Sequence, residues 1–167
     1  LTRKNQIAVI GSSDESPILP GAVAIGRFIA EQGHVLITGG RGGVMEAASR
    51  GAAEAGGIVI GILPGESLDS SNRYCSIVIP TGLGFARNAV NILSADAVVP
   101  IGGSYGTLSE LAYASMYDRP LICCTFAGGW SAEFARSREA SRAGGPVYIA
   151  HTAGEACRHL ATIFGNR

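Results

Sequence analysis

The chemistry in this chain is concentrated in two glycine-rich stretches and the charged residues near them. The sharper one is AVVPI-GGSYGT-LSELA. Gly102, Gly103 and Gly106 bracket Ser104 and Tyr105, Thr107 opens a helix, and Glu110 lies one turn further on. Amides of residues 103 to 107 at a helix start, with the hydroxyls of Ser104 and Thr107, form a set that can wrap a phosphate. Thr107-x-x-Glu110 also has the spacing of a capping box, in which the glutamate would satisfy the Thr107 amide. Both readings stay open.

The second stretch is ITGG-RGGVMEAA, with Gly39, Gly40, Gly42 and Gly43 around Arg41. Glycines let backbone approach an anion closely, and Arg41 adds a charged donor. The plainer alternative is a tight strand-to-helix turn with a solvated arginine. Gly11 and Ser12 follow the first strand and join the candidate ligand-binding set. No G-x-x-x-x-G-K-[ST] loop is present, and Gly11-Ser12-Ser13-Asp14 is not G-x-G-x-x-G, which disfavours a nicotinamide dehydrogenase. Arg87 comes soon after a strand and could contact a phosphate or a sugar. Taken alone it reads as an exposed or surface-paired arginine, because most arginines are.

These residues need a scaffold, and the apolar pattern supplies one. Strands are expected at Gln6–Ile10, His34–Thr38, Ile58–Leu63, Cys75–Pro80, Asp96–Ile101, Pro120–Thr125 and Val147–Ala150. Helices are expected at Gly21–Gln32 and Val44–Ala55, from near Gly84 through Arg87–Leu93, and at Thr107–Tyr117 and Gly154–Phe164. The segment Gly128–Gly145 is ambiguous: Ala132–Ser141 has helical character between glycine pairs that read as breakers. Strands and helices alternate, and the strands are continuously apolar. That pattern predicts an α/β fold: a Rossmann-like, doubly wound parallel sheet of about seven strands with helices on both faces. Ligands in such folds sit at the carboxyl ends of the strands, which is where the glycines lie. The Pro64–Arg73 loop leaves the same edge and is expected to stand over the site.

Composition narrows the function. The chain has 167 residues, 47% of them apolar and 16% charged, which suits one domain over residues 1–167. Thirteen basic and thirteen acidic side chains cancel, so no broad basic field is available for nucleic acid. Glycine, at 24 residues, is about twice its usual share. Cys75, Cys123, Cys124 and Cys157 form no C-x-x-C pair, and His34, His151 and His159 complete no metal cluster. Cys123 and Cys124 read as buried thiols. No apolar run reaches membrane-spanning length and no signal peptide is visible, so a cytoplasmic protein is expected.

Together, TGGRGGVMEAASRGAAEAGG, GLGFARNAVNILSADAVVPIGG and SYGTLSE resemble the Lonely Guy–like proteins, from about Ile7 to Thr125. The resemblance is greatest to the short bacterial branch that includes the molybdenum-cofactor carrier proteins. It implies a Rossmann-like homodimer or higher homo-oligomer that binds a small phosphorylated ligand. In the enzymatic members a P-G-G-x-G-T-x-x-E loop holds the 5′-phosphate of a nucleoside monophosphate. Its glutamate and an upstream arginine then act in cleaving the N-glycosidic bond. Those roles carry onto Glu110 and Arg87. The motif's proline is Gly102 here, its second glycine is Ser104, and Arg87 is followed by Asn88 rather than lysine. The resemblance therefore implies two alternatives: a phosphoribohydrolase, or a non-catalytic carrier with the molybdenum cofactor as cargo. In both, the loop after Ile101 is the phosphate cradle. The loop after Thr38 forms the facing wall, with Arg41 as an auxiliary anion contact.

Overall fold

The structure is a computed structural model describing residues 2–14, 17–140 and 144–165. Its centre is a seven-stranded parallel sheet with strands β1 (Gln6–Gly11), β2 (Val35–Thr38), β3 (Val59–Leu63), β4 (Ile77–Pro80), β5 (Ala97–Ile101), β6 (Leu121–Cys124) and β7 (Val147–Ala150). Their spatial order is β4-β3-β2-β1-β5-β6-β7. The helices are α1 (Leu19–Glu31), α2 (Val44–Glu54), α3 (Arg87–Leu93), α4 (Tyr105–Met116), α5 (Gly129–Ala140) and α6 (Ala153–Phe164). This is the expected Rossmann-like α/β architecture. None of the helices, over the described residues, is long and apolar enough to cross a membrane.

The two-residue period of a strand divides the core. Ile7 and Val9 of β1 pack with α1, α2 and α6 on one face, whereas Ala8 and Ile10 pack towards α3, α4 and α5 on the other. Both faces are covered, which is why the strand sequences are uniformly apolar. Cys123 and Cys124 point to opposite faces and are fully buried. On the first face α1 and α2 meet backbone to backbone. A Cβ on Gly26 would overlap the carbonyl of Ala48, and one on Gly51 would overlap that of Val23.

Several boundaries differ from expectation for physical reasons. Helix α1 begins at Leu19 because Pro20 fits the first turn, where no amide is needed. Helix α4 begins at Tyr105, two residues before Thr107. Helix α5 begins at Gly129, so the glycine pair expected to break it starts it instead. A Cβ on Gly129 would lie 2.7 Å from the Gly103 carbonyl oxygen, and only glycine allows this approach. Residues 141–143, which include the expected end of this helix at Ser141, lie outside the described residues.

Candidate functional site

β1 pairs with β2 on one side and β5 on the other, and the chain crosses to opposite faces after these neighbours. Such a switch point opens a crevice at the carboxyl edge of the sheet. A cleft of about 430 Å³ lies there. Into it come Gly11 at the end of β1 and Ser13 just beyond it, Gly39 and Arg41 after β2, and Pro64 after β3. Phe85, Arg87 and Asn88 follow β4, and Ser104, Gly106, Thr107 and Glu110 follow β5.

The loop after β2 is shaped by local hydrogen bonds. The Thr38 hydroxyl accepts from the Gly40 amide at 3.1 Å, and Gly40 and Gly43 hold φ of 71° and 63°. Those left-handed angles favour glycine. The amide of Val44, first in α2, donates to the Ser12 carbonyl at 2.9 Å, so Ser12 positions α2 rather than lining the cleft. Asn72 braces the loop from behind. Its amide donates to the Gly40 carbonyl at 2.8 Å, and its Nδ2 donates to the Arg41 carbonyl at 3.0 Å. The loop containing Pro64 and Asn72 thus supplies one lining residue and one brace. Arg41 is exposed at the cleft; Gly40, Gly42 and Gly43 build the turn without lining it.

The loop after β5 turns on Gly102 and Gly103, with φ of 63° and 96°. Their carbonyls accept from the amides of Ser131, at 3.0 Å, and Trp130, at 3.2 Å. The start of α5 therefore anchors this loop, and Trp130 also lies 6.4 Å from the Tyr105 ring, centroid to centroid. Ser104 is the residue before α4, and Ser104, Gly106 and Thr107 line the cleft. The first-turn amides of a helix lack intrahelical partners, so this edge is suited to an anion. Tyr105 is 80% exposed and stays outside the lining, as do Gly102 and Gly103.

The capping box does not form. Thr107 is already the third residue of α4, and Glu110 turns away from the helix start. Its Oε1 accepts from Asn91 Nδ2 at 3.0 Å across the α3–α4 contact. Only 7% of Glu110 is exposed, and burial pushes its carboxyl up to about 7, against the smaller opposing effects of Asn91 and Arg87. Arg87 is likewise not the exposed arginine that its type suggests. It is 9% exposed and donates through Nη1 to the carbonyls of Gly39, at 2.8 Å, and Ile62. Burial lowers its pKa; Glu110 opposes that shift and Arg41 adds to it. Its Nε, also buried, has no hydrogen-bond partner.

Sequence reasoning missed Ser13, Met45, Phe85 and Asn88 in the lining, and the partner roles of Asn72 and Asn91. The helical signal for Asn91 was available, because it follows Arg87 by four residues on the same helix face. Among the described residues no group of three or more His, Cys, Asp or Glu side chains could hold a metal ion.

The SLOG cluster4 family model matches residues 4–157. The chain belongs to the SLOG cluster4 family. A relative of this SLOG cluster4 protein from Archaeoglobus fulgidus is 47% identical over 110 residues, 65% of this chain and 72% of the relative. The molybdenum cofactor binding protein from Rippkaea orientalis superposes with a TM-score of 0.87 at 38% identity, covering 98% of this chain and 99% of that one. The molybdenum cofactor carrier protein from Chlamydomonas reinhardtii gives 0.84 at 34% identity, covering 96% and 98%. DNA processing protein A from Helicobacter pylori, at 18% identity and a TM-score of 0.72, shares the fold alone with the SLOG cluster4 chain.

Proposed function

We propose that this protein binds the molybdenum cofactor, a phosphate-bearing pterin, as cargo and carries it without turnover. The supporting observation is the end-to-end likeness to a molybdenum cofactor binding protein at 38% identity. The cleft suits the role in size and chemistry. Its volume is in the range of small-molecule sites. The phosphate would lie on the loop after β5, at Ser104, Gly106 and Thr107, with Arg41 on the facing wall. Arg87 spends its Nη1 on two backbone carbonyls, so it serves the cleft's architecture before any ligand. The reading takes residues 1–167 as one ligand-binding domain in a homodimer or higher homo-oligomer.

The test is uptake. Protein incubated with cofactor released from a molybdoenzyme and then gel-filtered should carry molybdenum and pterin together in near-stoichiometric amounts. Neither comigrating with the protein would refute the carrier reading.

One observation favours a second reading. Glu110 is a carboxyl held near neutrality inside the cleft, as general acid–base chemistry requires. A Lonely Guy–type phosphoribohydrolase would add water at C1′ of a nucleoside 5′-monophosphate. The C1′–N bond would break, giving free base and ribose 5-phosphate, with Glu110 stabilising the oxocarbenium-like state or orienting water. Base release from a panel of purine nucleotides, abolished in Glu110→Ala, would establish this reading. No release by the wild type removes it.

A further inference from the structure

Phe85 is 90% exposed, yet it lines the cleft. The other four phenylalanines, Phe28, Phe126, Phe134 and Phe164, pack against the two core clusters. An aromatic ring that contributes nothing to a core has a large apolar face free for another planar group.

Its backbone is held firmly. The amides of Thr81, Gly82 and Gly84 donate to the carbonyls of Leu63, Gly65 and Pro64 at 3.1, 3.0 and 2.9 Å. The Ala86 amide donates to Leu83 at 3.1 Å, and Arg87, two residues past Phe85, is tied to Gly39 and Ile62. Gly82 and Gly84, at φ of 65° and 56°, turn the segment outward over the cleft. The ring is therefore carried on a pre-shaped support, which reduces the ordering cost of binding. The anion-suited helix edge at Ser104 and Thr107 lines the same cleft. A ligand with a phosphate at one end and a flat ring at the other matches this pairing.

We propose that Phe85 is the stacking platform for the planar heterocycle of the ligand in this cleft, and so sets its preference for a ring-bearing phosphate over a bare sugar phosphate. This rests on the reading that the cleft takes a phosphorylated pterin- or nucleotide-like molecule.

The experiment is equilibrium binding of three probes: neopterin monophosphate, adenosine 5′-monophosphate and ribose 5-phosphate. Wild type, Phe85→Ala and Phe85→Trp are compared, with sedimentation of each variant. Alanine is expected to weaken the two ring-bearing probes roughly tenfold to a hundredfold, as for other base-stacking aromatics. Ribose 5-phosphate binding should stay within about twofold, and tryptophan should retain ring binding. Ring binding unchanged in Phe85→Ala overturns the proposal. So does equal weakening of all three probes, or a smaller assembly with unchanged binding per chain, which would make Phe85 a subunit contact. Wild type that binds none of the probes removes the ligand reading itself.

Discussion

The guanidinium of Arg87 donates to the carbonyl of Gly39 at 2.8 Å, joining the start of α3 to the glycine loop after β2. The same nitrogen reaches Ile62, so one side chain ties together the ends of β2 and β3 and the helix that follows β4. Arg87→Met should leave both carbonyls without this donor and cost roughly 2–4 kcal/mol, because buried groups that lose a charged partner are expensive. Urea denaturation measures this. A loss below about 0.5 kcal/mol would show that water replaces the guanidinium without penalty.

Glu110 makes stability depend on pH. Its folded-state carboxyl is raised from 4.5 to about 7. The folded protein therefore holds this proton more tightly than the unfolded chain does. The resulting stability is fully present below about pH 4.5 and is lost as pH rises through about 7. Its full size is on the order of 3 kcal/mol at most. Glu110→Gln keeps an acceptor for Asn91 and removes the titration. Its denaturation midpoint should fall less than that of wild type between pH 5 and pH 8. Parallel pH profiles for the two proteins would show that Glu110 does not carry the dependence.

The same carboxyl should act on an anionic ligand. Adenosine 5′-monophosphate affinity should weaken in wild type as Glu110 ionises near pH 7, through added repulsion in the cleft. The glutamine variant should lack that step. Calorimetric titration of both proteins across pH 6 to 8.5 checks it: the second ionisation of the phosphate is common to the two, so an equal pH step in both would overturn the assignment to Glu110.

Gly103 and Gly106 should respond in opposite ways. A Cβ on Gly103 would overlap the Thr107 side chain, and its φ is 96°. Gly103→Ala should cost roughly 2–4 kcal/mol from strain and displacement of the α4 start. Gly106 lies in α4 with nothing within 4 Å of an added Cβ, so Gly106→Ala should be neutral or gain up to about 1 kcal/mol. Thermal melts of the two variants decide. Similar midpoints would contradict the loop geometry.

Gly26 sets helix propensity against packing. Alanine would favour α1 by about 1 kcal/mol. The overlap with the Ala48 carbonyl should outweigh this, for a net loss of about 2 kcal/mol or more. A stabilised Gly26→Ala would mean that α1 and α2 separate easily.

The sheet was legible because its inner strands, such as β2, β5 and β6, are buried on both faces, and a run such as VLIT or LICCT admits little else. The position of the cleft was legible too, since glycine clusters mark strand ends. What was hidden depended on contacts between segments far apart in the chain. Thr107 and Glu110 have capping-box spacing, but Asn91, from another helix, takes the carboxylate. Arg87 has the composition of a surface residue, and only the carbonyls of Gly39 and Ile62 explain its burial. Gly129 looks like a breaker until the Gly103 carbonyl stands against it. Glycine signals a close approach or a special turn, but not which segment makes the approach.

The cleft's two glycine loops lead into different layers: the one after β2 into α2 on one face of the sheet, the one after β5 into α4 on the other. A molecule touching both loops is a cross-tie between the layers, and unfolding of either layer destroys its site. Its binding free energy therefore adds to global stability rather than stiffening one loop. Heat resistance becomes a chemistry-blind detector of cargo, able to rank candidate ligands whether or not the protein transforms them.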